Sequence, residues 1–246
     1  MTAVTWLVWR CTVPQMADLY TFEGVSVVRN GATILQEVTA SIRDRGITAI
    51  VGPSGSGKTT LLRLCNRLEI PATGAVRFRG ADISAMDPLE LRRRAGMVFQ
   101  RPTLFAGTVR DNLLVARPSA NDVELRHALE RVELGPSFLD RTGDDLSGGE
   151  AQRACVARTL IAEPDVMLFD EASSSLDAAP KARLEETARH IRAEGMAVLW
   201  VTHDLAQAER LAQDLLVVLE GRVEFSGSAS DVRDANGKVR EFLDAG

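Results

Sequence analysis

Ile47-Thr-Ala-Ile-Val-Gly-Pro-Ser-Gly-Ser-Gly-Lys-Thr-Thr60 sets a β-branched run against a glycine-rich turn and the opening of a leucine-patterned helix. The first five residues read as a buried strand. Leucines at 61, 62, 64 and 68 predict a helix from Thr59 to Leu68 with one covered face. Between them, Gly52, Pro53, Ser54, Gly55, Ser56, Gly57, Lys58, Thr59 and Thr60 have the spacing of a phosphate-cradling loop. Its glycines let successive backbone N–H groups turn toward a phosphate, and the helix that follows adds its N-terminal dipole. Lys58 can reach the β- and γ-phosphates, and the Thr59 hydroxyl is placed to coordinate Mg²⁺. The motif implies a nucleoside triphosphate and leaves open what its energy is used for.

Outward from this loop, apolar strands alternate with helical stretches. Asp165-Val-Met-Leu-Phe-Asp170 is a strand that delivers Asp170 and then Glu171 at its carboxyl end, where open parallel sheets bind ligands. Asp170 suits the Mg²⁺ shell and Glu171 the orientation or deprotonation of an attacking water, although such a pair in isolation also reads as a solvated strand end. Strands are expected at 20–28, 33–42, 75–79, 96–100 and 196–201, with helices at 149–161, 178–193 and 204–212. A hairpin at 215–225 and a helix around 232–243 close the chain, and 81–95 is a polar segment containing Pro88. From Arg101 to Thr142 the pattern is mainly helical. The resulting fold class is α/β: a phosphate-loop NTPase core with a mostly parallel sheet, N-terminal antiparallel strands and an inserted helical subdomain. Residues 16–246 form one domain in this reading, with the core at about 16–100 and 149–246 and the helical subdomain at about 101–148, expected to move as a body. Residues 1–15 are expected to be a flexible extension, or a consequence of a start at Met1 rather than Met16.

Composition narrows the classes further. In 246 residues, 45 % are hydrophobic and 26 % charged, ordinary for a globular chain. Lys plus Arg number 29 against 34 Asp plus Glu, a net charge of −5, and no polybasic segment suits a nucleic-acid groove. Cys11, Cys65 and Cys155 are widely separated and lack paired metal spacing, so they read as reduced thiols. No run approaches the ~20 apolar residues of a membrane span. Work at a membrane then requires another chain or domain to cross it.

Leu146-Ser-Gly-Gly-Glu-Ala-Gln-Arg153, taken with Lys58 and Asp170-Glu171 in this order, resembles the ATP-binding cassette ATPases over residues 20–246. Without the resemblance, Ser147 to Glu150 reads as a helix cap. The resemblance implies that two copies pack head to tail, with Ser147, Gly148 and Gly149 of one closing over the ATP of the other. It also implies that Gln100 senses Mg²⁺ and the attacking water, that Ser175-Leu176-Asp177 communicates across the dimer, and that His203 is a switch touching the γ-phosphate. Residues 100–113 resemble metal-efflux cassettes, while Asn66-Arg-Leu68 and 96–100 resemble phosphate-import ATPases. Either similarity implies separately encoded membrane permease subunits and a place at the cytoplasmic face of the cell membrane, in a bacterium. Pro102, Leu104 and Phe105 read as an apolar surface for such a partner, or as a satellite core.

The sequence departs from the family at three positions. Arg29 stands where an adenine-stacking aromatic is expected, with Phe22 or Tyr20 as substitutes. Ala172-Ser173 replaces Pro-Thr after Glu171. Thr59 replaces a commoner serine, with its hydroxyl retained. Arg29 leaves an alternative reading open, an ATP-responsive regulatory or scaffold cassette with little turnover.

Overall fold

The computed structural model describes residues 18–244. The extension expected over 1–15, and the choice between Met1 and Met16, lie outside the described residues. The chain opens with a long hairpin, β1 (Asp18–Arg29) and β2 (Ala32–Arg43), joined through the tight turn Asn30-Gly31. β3 (Ile47–Val51) is buried along its whole length and leads into α1 (Lys58–Leu64). Then come β4 (Thr73–Phe78), β5 (Ala81–Asp82), α2 (Pro88–Arg94) and β6 (Ala95–Val98). The helical stretch contains α3 (Val109–Ala116), α4 (Asp122–Glu130) and two short 3-10 turns, and α5 (Gly148–Leu160) follows. After that, β7 (Val166–Asp170), α6 (Ala178–Ala193), β8 (Ala197–Val201) and α7 (Leu205–Leu211) alternate. β9 (Asp214–Leu219), β10 (Arg222–Ser228) and α8 (Gly237–Asp244) complete the described chain.

The strands form two sheets. One has the order β10-β9-β3-β8-β7-β6, parallel except for the antiparallel edge strand β10. The other is antiparallel, β2-β1-β4-β5. Leu61, Leu62 and Leu64 of α1 fill the space between the sheets with Tyr20, Phe22, Phe78, Leu168 and Leu199. On the opposite face of the parallel sheet, Met167, Phe169, Val198 and Trp200 meet α3, α4, α5 and α6, with Phe169 and Trp200 stacked 4.7 Å apart. Alternate residues of β7 and β8 thus enter two different cores. This explains their unbroken apolar run, each large side chain contributing about 1.5–3 kcal/mol of burial. Because β3, β7 and β8 are parallel, the loops that follow them emerge at one edge of the sheet.

Four elements depart from the expected boundaries. α1 stops at Leu64, well before Leu68; Cys65 caps it, and Arg67 then takes a positive φ of 54°. The polar segment around Pro88 is a helix, because the Asp87 carboxylate accepts from the N–H groups of Leu89 and Glu90 and Pro88 occupies the first turn. β6 ends at Val98, so Phe99 and Gln100 leave the sheet, and the Phe99 carbonyl accepts from Gln152 Nε2 at 2.9 Å. The expected helix at 232–243 divides into a 3-10 turn, Ala229–Asp234, and α8.

Candidate functional site

The turn after β3 is built by close approach. Gly52 has φ 152°, and a Cβ there would lie 2.1 Å from the Val218 carbonyl oxygen. Only glycine fits between β3 and β9 at this level. The loop then curls so that Ser56 N–H donates to Pro53 O at 3.2 Å and the Ser56 carbonyl accepts from Gly221 N–H at 3.1 Å. The Ser56 hydroxyl is buried with no hydrogen-bond partner. Pro53, Ser54 and Gly55 are exposed around it, and Thr60 is buried in the first turn of α1. Lys58 Nζ curls back to donate to the carbonyls of Gly52 and Pro53, at 2.8 and 2.9 Å. Burial pulls its pKa below the ordinary lysine value, against the opposing pull of Glu171 and Asp170. An orphaned hydroxyl and a partly desolvated ammonium in one concave loop fit a phosphate chain, which would satisfy both.

β7 brings the acidic pair to this loop. Thr59 Oγ1 donates to Asp170 Oδ1 at 2.6 Å. A hydroxyl and a carboxylate in contact are hard oxygen donors of the kind Mg²⁺ takes. Arg63, one turn beyond Thr59 on α1, stands 3.5 Å from Asp170 Oδ2. The sequence reading missed Arg63, although its i+4 spacing from Thr59 was available as a signal. Glu171 has φ 48°, an uncommon conformation for a side-chain-bearing residue, and its N–H donates to Val201 O at 3.2 Å. The bend aims its carboxylate between two nitrogen groups: Lys58 Nζ at 4.0 Å from Oε1 and His203 Nδ1 at 3.5 Å from Oε2. Lys58, Asp170, Glu171 and His203 therefore converge from β3, β7 and β8.

Gln100 joins the site indirectly. Its Nε2 donates to Ser174 Oγ at 3.0 Å, on the loop that follows Glu171. Ser173, one residue earlier, is buried and shares hydrogen bonds with Gln207 of α7. Gln207 also touches Glu185 of α6. Neither Gln207 nor Glu185 carried a signal in sequence, since an amide on one helix and a carboxylate on another match no motif.

Ser147 and Gly148 stand exposed at the head of α5. The Ser147 hydroxyl and N–H both donate to Glu150 Oε2 at 2.8 Å, a capping box whose hydrogen bonds hold the Glu150 carboxyl below the usual range. Gly149 is buried, and a Cβ there would meet Pro180 Cβ of α6 at 2.6 Å. Among the described residues, no hydrogen bond or ion pair joins Ser147, Gly148 or Gly149 to the loop at 52–60. Asp177 occupies the cap position of α6, exposed and without a capping hydrogen bond.

The adenine-stacking candidates are corrected. Tyr20 and Phe22 are both fully buried between the sheets, and the Tyr20 hydroxyl donates to Cys65 O at 3.1 Å, so neither ring is available to a base. Arg29 is exposed at the end of β1 and forms an ion pair with Glu69.

Comparison with known proteins agrees with this arrangement. The ABC transporter family model matches residues 35–174. The phosphate import ATP-binding protein PstB of Thermotoga maritima is 35 % identical, covering 93 % of this chain and 98 % of that one. Protein STAR1 of Oryza sativa subsp. japonica is 37 % identical over 87 % of this chain, which spans only 64 % of that relative. Among solved structures, a bacterial Atm1-family ABC exporter with ATP bound superposes with a TM-score of 0.81 at 30 % identity, over 95 % of this chain and 44 % of that one. The cbiO1 component of the Clostridium perfringens cbiONQ transporter gives the same TM-score of 0.81 at 24 % identity, covering 92 % and 94 % of the two chains, and shares the fold. With the phosphate loop, the strand-end acids and more than half of the chain inside the family model, the protein belongs to the ABC transporter ATPases as an ATP-binding subunit.

Proposed function

We propose that the chain hydrolyses ATP between two copies packed head to tail and so powers a permease whose membrane spans lie in separate subunits. The convergence of Lys58 and His203 on the Glu171 carboxylate is the observation that carries this reading. A base poised between an ammonium and an imidazole at the mouth of a phosphate loop serves hydrolysis, whereas a purely regulatory cassette has no use for one. Residues 52–60 hold the triphosphate, with Lys58 leaving its two carbonyl partners for the β- and γ-oxygens. Thr59 and Asp170 would hold Mg²⁺, with Gln100 joining them, and the bound ion would neutralise charge on the β- and γ-phosphates. Glu171 takes a proton from water, the water oxygen bonds to γ-phosphorus, the bond to the bridging oxygen breaks, and ADP leaves with that electron pair. His203 steadies the γ-phosphate oxygens.

Ser147, Gly148 and Gly149 complete the site of the opposite copy, supplying a helix N-terminus to the γ-phosphate, and Asp177 faces the same junction. Residues 16–246 act as one ATPase domain, and the helical subdomain at about 101–148 transmits the closure. Pro102, Leu104 and Phe105 line a cleft of about 500 Å³ with Gly143 and Ala151, Phe105 being 52 % exposed. A cytoplasmic helix of the permease fits there. Among the described residues no helix is long and apolar enough to cross a membrane, so attachment at the cytoplasmic face is through that partner. Phosphate release from Mg-ATP, measured on the chain alone and with its permease, tests the proposal. Absence of turnover in both preparations would overturn it.

A further inference from the structure

Behind Glu171 and His203 lies a buried polar network centred on Gln207. Its Nε2 donates to Ser173 Oγ and to Glu185 Oε1, both at 2.9 Å, and its Oε1 accepts from Trp200 Nε1 at 3.2 Å. Its backbone N–H donates to the Asp204 carboxylate at 2.9 Å, and Lys181 of α6 holds the other oxygen of Asp204 at 2.5 Å. Gln207 is 1 % exposed, Ser173 and Glu185 4 %, and Trp200 0 %. Both amide protons and the carbonyl oxygen of Gln207 are therefore used where water cannot replace a lost partner. Glu185 accepts in addition from Arg210 at 3.1 Å, and Arg189 stands 3.7 Å away, so the carboxylate is compensated on two sides.

The partners of this amide are the segments that carry the reacting groups. Ser173 follows Glu171 by two residues. Trp200 and Gln207 bracket His203. Glu185 and Lys181 belong to α6, whose cap is Asp177. Glu171 itself takes an uncommon backbone conformation, φ 48°, which its surroundings must hold in place.

We propose that Gln207 is a positioning residue for ATP hydrolysis. It fixes the spacing of Glu171 and His203 and locks both to α6, so that a movement of the Asp177 end reaches the base. This rests on Glu171 acting as the base. Among the described residues Gln207 makes no hydrogen bond to the phosphate loop, and its partner Trp200 packs in the core on the face of the sheet opposite α1, so its loss affects the chemical step and leaves nucleotide capture alone.

An exchange of the amide and the carboxylate tests the proposal. In Gln207→Glu, the donor facing Glu185 becomes a second carboxyl, so the two groups repel or must share a proton, and the amide's paired donation to Ser173 and Glu185 is lost. In the double variant Gln207→Glu/Glu185→Gln, the amide at 185 again donates to 207, and Trp200 Nε1 and Ser173 Oγ still find an acceptor there. For the full-length chain we expect Gln207→Glu to lower kcat by about 10- to 100-fold, the scale of a small misplacement of reacting groups, with KM for ATP and equilibrium ATP binding within about twofold. The double variant should recover kcat to within about threefold of wild type. Gln207→Met, close in volume and without donors, should lower kcat in the same way and provides the measurement if Gln207→Glu fails to fold. Wild-type kcat in Gln207→Glu or Gln207→Met would overturn the proposal. So would a folded double variant no better than Gln207→Glu, since general damage to the fold is not reversed by an exchange. Glu171→Gln measured alongside separates the two ideas: if it too turns over ATP at the wild-type rate, the assignment of the base is at fault.

Discussion

His203 Nδ1 lies 3.5 Å from Glu171 Oε2 although the two residues sit on the loops of different strands, β8 and β7. The parallel pairing of Asp170 with Val201 sets this approach, and the hydrogen bond from Glu171 N–H to Val201 O extends it by one residue. The imidazole is 57 % exposed, so it is free to turn toward a phosphate while the carboxylate stays in place.

Glu171→Gln should bind ATP and accumulate as the ATP-bound dimer, with turnover reduced by the 10²–10⁴-fold typical of a lost general base. The amide keeps the shape and much of the hydrogen bonding but cannot take the water proton. Size-exclusion chromatography with Mg-ATP, together with phosphate release, is the check; turnover near wild type would remove Glu171 from the role.

Ser147→Arg should abolish hydrolysis and leave ATP binding by the isolated chain intact, because Ser147 has no contact with the phosphate loop of its own copy. Specific activity of the wild type should also rise with protein concentration below the dimer constant. Constant specific activity across concentrations shown to be monomeric would count against a shared site.

Arg29→Tyr should tighten ATP binding about five- to tenfold and widen its advantage over GTP, taking base stacking at the lower part of its 1–3 kcal/mol range. The substitution also removes the exposed pair with Glu69, which contributes little. With Tyr20 and Phe22 buried, no ring at those positions competes for the base. Titrations of both nucleotides into wild type and variant decide the matter, and equal affinities would place the adenine elsewhere.

Asp214 at the start of β9 gives a pH test remote from the site. Burial raises its carboxyl pKa, and Arg43 and Arg45 only partly offset this. A carboxyl with a raised folded pKa costs nothing below its unfolded value near 3.9, and its cost grows as pH rises through the folded value. Asp214→Asn should therefore raise Tm at pH 7, by on the order of 2 °C, with the gain fading toward pH 4. Thermal melts at both pH values test this; a gain independent of pH would show that charge is not its cause.

The phosphate loop, the Asp170-Glu171 pair and the alternation of strands were legible because each is a local pattern: glycines at 52, 55 and 57 ahead of Lys58, a strand of four apolar residues, a period of 3.6. Helix α2 was obscured by Pro88, which reads as a breaker unless Asp87 is recognised as its cap. Tyr20 and Phe22 were offered to the base because nothing in sequence says that both β1 rings enter the space between two sheets. The links among Ser173, Glu185 and Gln207 span 22 and 34 positions along the chain. Such pairings exist only once α6 and α7 have packed, and no spacing rule encodes them.

The missing Cβ of Gly149 brings the head of α5 against Pro180 in the first turn of α6. The contact is not isolated, since Ala154, Ala157 and Leu160 of α5 share one core with Leu184 and Ala188 of α6, and the close approach at Gly149 sets the spacing at the head of that packed pair. Ser147 precedes Gly149 by two residues and Asp177 precedes Pro180 by three, so this contact ties together the two exposed cap residues on which the proposed junction between copies depends. A methyl group at position 149 would meet Pro180 Cβ at 2.6 Å, so even this smallest side chain would force the two helix heads apart.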